Sequence, residues 1–227
     1  WLMHRPGFAR AAGERDDFLG RAYGWLAFGY REDDARDLRI QQFFAVAAVV
    51  AAVAFVFYTG FLLSTMRSFS IWYTPLLGVF FALAALAAGF AWLLIVTGFS
   101  GPLSRQPGLL RLLAGSAAAF LAAHLAVRLW DLAHAAYVES LIWSAIRELL
   151  FGELFLSYVV LEMLLGGLVA VVLLALAAWR DSRALAVAGG LLAFVGLFAA
   201  RWNIIMGGQR VSRTGEGLIP GELHILG

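Results

Sequence analysis

The chain has 227 residues, 62% of them hydrophobic and only 14% charged, with a mean hydropathy of +0.83. A soluble domain carries about 45–50% apolar and about 25% charged residues, so the composition excludes a soluble enzyme domain and a disordered tail. The absence of cysteine excludes a disulfide scaffold, a thiol nucleophile and a thiolate-held iron–sulfur cluster, and a net charge of +2 makes no case for nucleic acid.

The fold class expected is all-α, a polytopic transmembrane helical bundle. Residues 1–39 form a charged lead-in with seven arginines and seven acids, which belongs in water or on a headgroup surface. The chain starts at Trp1, with no basic-then-apolar leader and hence no signal peptide to remove. Its polar ends lack an obvious domain edge, and the expectation is that helices are missing from one or both of them. The bundle itself occupies residues 40–206, and 207–227 form a polar extension.

A spanning helix needs about 20 mostly apolar residues. Five stretches qualify. The first runs from Ile40 to Met66. The second lies within the uncharged run Ser68 to Ser104, as a helix from near Trp72 to near Phe99 with Pro75 in its first turn, where proline is tolerated. The third runs from about Leu109 to Trp130, the fourth from about Leu154 to Trp179 with Glu162 inside it, and the fifth from Ala184 to about Met206. Gly207-Gly208 is expected to stop the last helix. Between the third and fourth spans, Asp131 to Glu153 mixes charges with leucines and Trp143 and reads as an interfacial segment, not a span.

Arginine counting sets the orientation. The N-terminal segment and the loops holding Arg105, Arg111, Arg180 and Arg183 share one face, side A, with eleven arginines against six on side B. Side A is therefore expected in the cytoplasm and side B outside, in a prokaryotic inner membrane.

Polar groups inside apolar spans are costly and usually face the bundle interior or a cavity. Here they gather toward side B: Tyr58, Trp72, Thr74, His124, Arg128, Tyr158, Glu162, Arg201, Asn203 and Gln209. His124, Arg128 and Asp131, at spacing i, i+4, i+7, share one helix stripe, as do Tyr158, Glu162 and Gly166. Such a cavity suits an amphipathic ligand with a polar head and a long tail. A quinone fits: its carbonyls need donors such as His, Arg or Tyr, and its two-electron chemistry needs a proton acceptor. Glu162 and His124 are the catalytic candidates, and Tyr58, Arg128, Asp131, Tyr158, Arg201 and Gln209 join them as candidate quinone-binding residues. Simpler roles stand beside these. Arg128 and Arg201 could snorkel to headgroups, Tyr58, Trp72 and Trp202 could be interfacial belt aromatics, and Asp131 could only pair with Arg128. His134 is expected to be exposed. Only His124 of the four histidines lies inside a span, so a bis-histidine haem is not expected, and no metal is assigned to this chain.

Tyr58-Thr59-Gly60-Phe61-Leu62-Leu63-Ser64, then Trp72-Tyr73-Thr74-Pro75-Leu76, resembles the NrfD-like family, the polysulfide-reductase type of membrane subunit. Arg201-Trp202-Asn203-Ile204-Ile205-Met206-Gly207-Gly208-Gln209, continued by Ser212-Arg213-Thr214-Gly215, looks like that family's last core helix. The resemblance spans about residues 35–220. It implies a bundle of eight or more helices, with the family's first helices missing here. It also implies a site for menaquinone or ubiquinone near one membrane face. The partners it implies are a ferredoxin-like iron–sulfur subunit and often a molybdopterin or other catalytic subunit. Tyr58, Arg201 and Gln209 match its pattern, and Glu162 matches it more weakly. Two alternatives compete with a quinone-reactive respiratory subunit: a structural anchor whose pocket holds membrane lipid, and a transporter or proton-translocating subunit. The apolar side-A halves of the five spans argue against a continuous polar path.

Overall fold

The computed structural model describes residues 21, 22, 25, 34–66, 74, 76–100, 108–137 and 141–210. The lead-in before residue 34 (apart from residues 21, 22 and 25), Trp72, Pro75, Arg105 and the extension from residue 211 lie outside the described residues. The side chain of Gln209 does too. All regular structure among the described residues is helical.

Helix α1 is Asp34–Ser64, α2 Leu77–Ser100, α3 Leu109–Tyr137 and α4 the short Leu141–Phe151. Helix α5 spans Leu156–Arg180, and α6 is Arg183–Arg210. Every one of these except α4 is long and apolar enough to cross a membrane, with span hydropathies from 1.6 to 2.7. The chain divides into two compact units, residues 1–55 and 56–227. The first supplies most of α1. In the second, α2, α3, α5 and α6 form a ring: α2 packs on α3 and α6, and α5 packs on the same two.

The side-A half of this ring is an apolar core in which alanine dominates. Ala84, Ala87 and Ala91 of α2, Ala114 and Ala117 of α3, Ala177 of α5 and Ala186 and Ala193 of α6 are all buried together. Small side chains let helix backbones approach closely, which is how helices associate where lipid supplies no hydrophobic drive. Two arginines join helix ends across this face. Arg111 Nε donates to the Ala178 carbonyl at 3.2 Å, and the Arg183 guanidinium donates to the Gly98 carbonyl. Both acceptors lie in last helical turns, whose carbonyls lack partners within their own helix. Asp181 takes φ 53° to turn the chain between α5 and α6, a left-handed conformation that aspartate tolerates.

Three boundaries and one stretch of winding depart from the sequence expectation. First, α2 begins at Leu77, after Pro75, and not near Trp72; the Thr74 carbonyl accepts from the Leu77 amide at its start. Second, α3 does not stop at Trp130. It runs to Tyr137, because Ala133, Ala135 and Ala136 favour helix and no Gly or Pro interrupts them. Asp131 and His134 therefore belong to a spanning helix, and only Leu141–Phe151 forms a separate piece. Third, Gly207-Gly208 does not stop α6, which continues to Arg210. Glycine weakens a helix interior by about 1 kcal/mol without breaking it, and Gly207 is buried in packing.

The fourth departure concerns α5. Leu156–Val169 is wound as a π-helix and only Ala170–Arg180 as an α-helix. Its buried positions Tyr158, Glu162, Gly166, Ala170 and Leu174 recur every four residues. In an α-helix each such step would drift about 40° around the axis, carrying the seam away from the core within a few turns. Wider π-turns drift the other way, so the combination keeps the seam facing inward.

The seam meets α6 at Gly166 and Gly196, backbone to backbone. A Cβ built on Gly166 would stand 2.1 Å from Gly196 Cα, and one on Gly196 2.2 Å from Gly166 Cα. No flexible side chain is there to yield. Gly166→Ala and Gly196→Ala should each destabilise by about 1–3 kcal/mol as the helices are forced apart. Gly115→Ala, with nothing within 4 Å of its Cβ, should be neutral or stabilise by about 0.5–1 kcal/mol. Thermal unfolding of the three variants in one detergent tests the contrast. Equal midpoints would contradict the backbone contact.

Candidate functional site

Toward side B the same ring closes over charge. Arg128 of α3 is only 9% exposed, and its Nε lies 3.0 Å from Oε1 of Glu162 on α5, itself 5% exposed. Each is an ion that the apolar surroundings would reject alone, and each offsets the other. The pair is not aligned as a hydrogen bond, and neither Arg128 Nε nor Glu162 Oε1 has a hydrogen-bond partner among the described residues.

The guanidinium is also enclosed by rings. It sits 5.1 Å from the centroid of Phe80 on α2 and 4.9 Å from that of Tyr158 on α5. Ring faces attract a desolvated cation. Phe80 in turn lies against His124, with ring centroids 4.1 Å apart and the planes tilted by 36°. His124 Nδ1 is 3.3 Å from the Phe80 carbonyl, which can only accept, so Nδ1 carries the proton. In the neutral ring Nε2 is then left as a base.

The second carboxylate oxygen of Glu162 is bound from α6. Asn203 Nδ2 donates to Oε2 at 2.7 Å, and Ser157 Oγ donates to Asn203 Oδ1 at 2.6 Å. Four helices thus contribute to one polar centre. Two small cavities flank Arg128. One is lined by His124, Arg128 and Glu162, with Gly166, Gly167 and Gly196 as its floor; the other by Arg128, Asp131 and Thr74. Each leaves about 10 Å³ for the centre of a water molecule, which is room for about one water. Neither accommodates a quinone ring.

The sequence-derived candidates therefore divide. His124, Arg128, Tyr158 and Glu162 are brought together and buried. Asp131 accepts from Thr74 Oγ1 at 3.0 Å and lines the outer cavity. Tyr58 is 56% exposed on α1, outside this centre. Arg201 is exposed as well, with its charge 5.6 Å from the Phe81 ring. The snorkelling alternative fails for Arg128, which is buried and paired. Sequence reading counted Asn203 among the polar groups but not among the site residues, and it passed over Ser157 altogether. One signal for Asn203 was present: it is the chain's single asparagine and stands inside an apolar helix.

Removing one member of a buried ion pair strands the other. Glu162→Leu should cost about 3–5 kcal/mol, and adding Arg128→Met should recover most of that loss, since the stranded charge is then gone. Unfolding of the single and double variants in detergent measures the coupling. Strictly additive losses would mean that the two side chains act independently.

The family model described as Polysulphide reductase, NrfD matches residues 22–212, well over half of the chain and all five spans. Comparison with curated proteins gives no match. The chain belongs to the NrfD family, the membrane subunits of polysulphide reductase-like oxidoreductases.

Proposed function

We propose that the chain is the quinone-reactive membrane subunit of a respiratory oxidoreductase, exchanging electrons between the quinone pool and an extrinsic iron–sulfur subunit on side B, the outer face. The observation that carries this reading is the buried Arg128–Glu162 pair beside His124, gathered at one membrane face with space for a water. Quinone is the substrate. Oxidising its reduced form releases two protons with two electrons, and the electrons leave through the partner's clusters.

The two small cavities do not admit the ring, so the quinone head lies on the lipid-facing side of the polar half. Tyr58 and Arg201 are exposed there to donate to its oxygens. The buried residues handle protons. Glu162 accepts a proton as a carboxylate, His124 Nε2 is a second acceptor, and Arg128 is the cation paired with that carboxylate. A water in the inner cavity would connect His124 to Glu162. The apolar alanine core on the side-A half favours this reading over a channel through these four helices.

The test uses the native complex in mild detergent, with reduced quinol added and the iron–sulfur signal of the co-purifying subunits followed by low-temperature EPR. Cluster reduction blocked by a quinone-site inhibitor is the expected result. Clusters indifferent to quinol would leave a structural anchor, and absence of clusters would remove the iron–sulfur partner. In the same assay Glu162→Gln and His124→Ala should lower turnover by about 10²-fold or more with the complex still assembled. Unchanged turnover in both would take these residues out of the chemistry.

A further inference from the structure

We infer that Ser157 and Asn203 form a reversible hydrogen-bond relay that holds Glu162 in either of two protonation states. This rests on the reading of Glu162 as a proton acceptor and adds two positioning residues to it.

The argument starts from the direction of the bonds. An ionised carboxylate only accepts, an amide donates through nitrogen and accepts through oxygen, and a serine has one proton to give. As built, Ser157 donates to Asn203 Oδ1 and Asn203 donates to Glu162 Oε2, so every donor points toward the carboxylate. Adding a proton at Oε2 turns that oxygen into a donor facing the Asn203 N–H groups. Two donors 2.7 Å apart repel. Asn203 is 1% exposed and shut off from bulk solvent, and leaving such a group unpaired costs about 1–3 kcal/mol.

The site contains the remedy. The two ends of an amide are almost the same size, so a half-turn of the Asn203 side chain needs no repacking. It brings Oδ1 to the new Oε2–H and Nδ2 to Ser157 Oγ. Ser157 then accepts and must direct its own proton elsewhere. A second acceptor is in place, because its Oγ lies 3.1 Å from the Leu154 carbonyl. That carbonyl already accepts from the Tyr158 amide at 2.8 Å and has one lone pair left. The relay therefore runs Ser157 to Asn203 to Glu162 when the carboxyl is ionised. It runs Glu162 to Asn203 to Ser157 to Leu154 when it is protonated. One proton is gained at Oε2, and neither Asn203 nor Ser157 gains or loses one.

The surrounding charges bear on both states. From α3 the groups facing this centre are His124, Arg128 and Asp131; from α5, Tyr158; from α6, Arg201, whose charge reaches His124. When Glu162 is neutral, Arg128 keeps its two ring faces and its attraction to Asp131.

Because Asn203 is the single asparagine, carbon-13 labelling of asparagine marks one side-chain carbonyl. The experiment is infrared difference spectroscopy of the full labelled chain in lipid nanodiscs across a pH titration. The expected result is that the labelled band exchanges between two positions in step with the carboxyl band of Glu162. Glu162→Gln, whose amide donates where the protonated acid would, should freeze it at the low-pH position. Ser157→Ala, which removes the partner from both arrangements, should move both positions. The relay is overturned by a labelled band that stays fixed while the carboxyl titrates, or by a carboxyl band that never changes. Exchange that persists in Glu162→Gln overturns it too, and bands unmoved in Ser157→Ala would remove Ser157. Should a variant fail to fold, the native titration alone decides. Quinol turnover of the native complex is measured separately. Exchange without turnover sinks the quinone reading and keeps the relay, while turnover without exchange does the reverse.

Discussion

A guanidinium cannot give up its proton, so Arg128 brings a permanent charge into a bundle built to exclude it. Everything around it answers that constraint. Glu162 supplies the opposite charge, Phe80 and Tyr158 supply ring faces, and Asp131 lies one turn away at the outer cavity. Each comes from a fixed place on a different helix or turn. The pair thus acts as a registry pin: α3 and α5 have one depth at which the charges meet. Sliding either helix by a turn would strand both.

The π-wound stretch and the glycine contact serve the same end at the level of backbone. A four-residue seam lets Tyr158, Glu162 and Gly166 all point inward, and the absence of side chains at Gly166 and Gly196 brings α6 close enough for Asn203 to reach the carboxylate. Packing and polar chemistry are not separable here. The backbone approach of Gly166 to Gly196 is also the floor of the inner cavity.

Much of this was legible in the sequence. Five apolar runs of sufficient length define five spans, and cost arguments pick out His124, Arg128 and Glu162 as residues needing partners. Helical periodicity placed His124 with Arg128, and Tyr158 with Glu162, on common stripes. What could not be read is which stripe faces which. Pairing Arg128 with Glu162 rather than Asp131 depends on helix rotation, which spacing within one helix does not carry. Ser157 was invisible because a serine bonded to a helical carbonyl and one bonded to a neighbouring helix look alike in sequence. The π-winding was hidden too, since the same apolar residues serve an α-helix and a π-helix. Tyr58 looked like a companion of the buried group by its depth and by the family pattern, and depth says nothing of the side of a helix on which a residue lies.

The Arg128–Glu162 pair also bears on how the protein is made. A membrane helix is inserted as it is synthesised, and a charge at its centre costs about 2.5–3.5 kcal/mol at that step. Helix α3 emerges before α5, so Arg128 reaches the bilayer before Glu162 does, and its insertion relies on the surplus apolarity of Leu109–Tyr137. Asn203 follows Glu162 by 41 residues, on the order of seconds of translation. The polar centre is therefore the last part of the ring to be completed. Until α6 arrives, the half-built ring holds an ion pair with one side open, and the entry of α6 closes it.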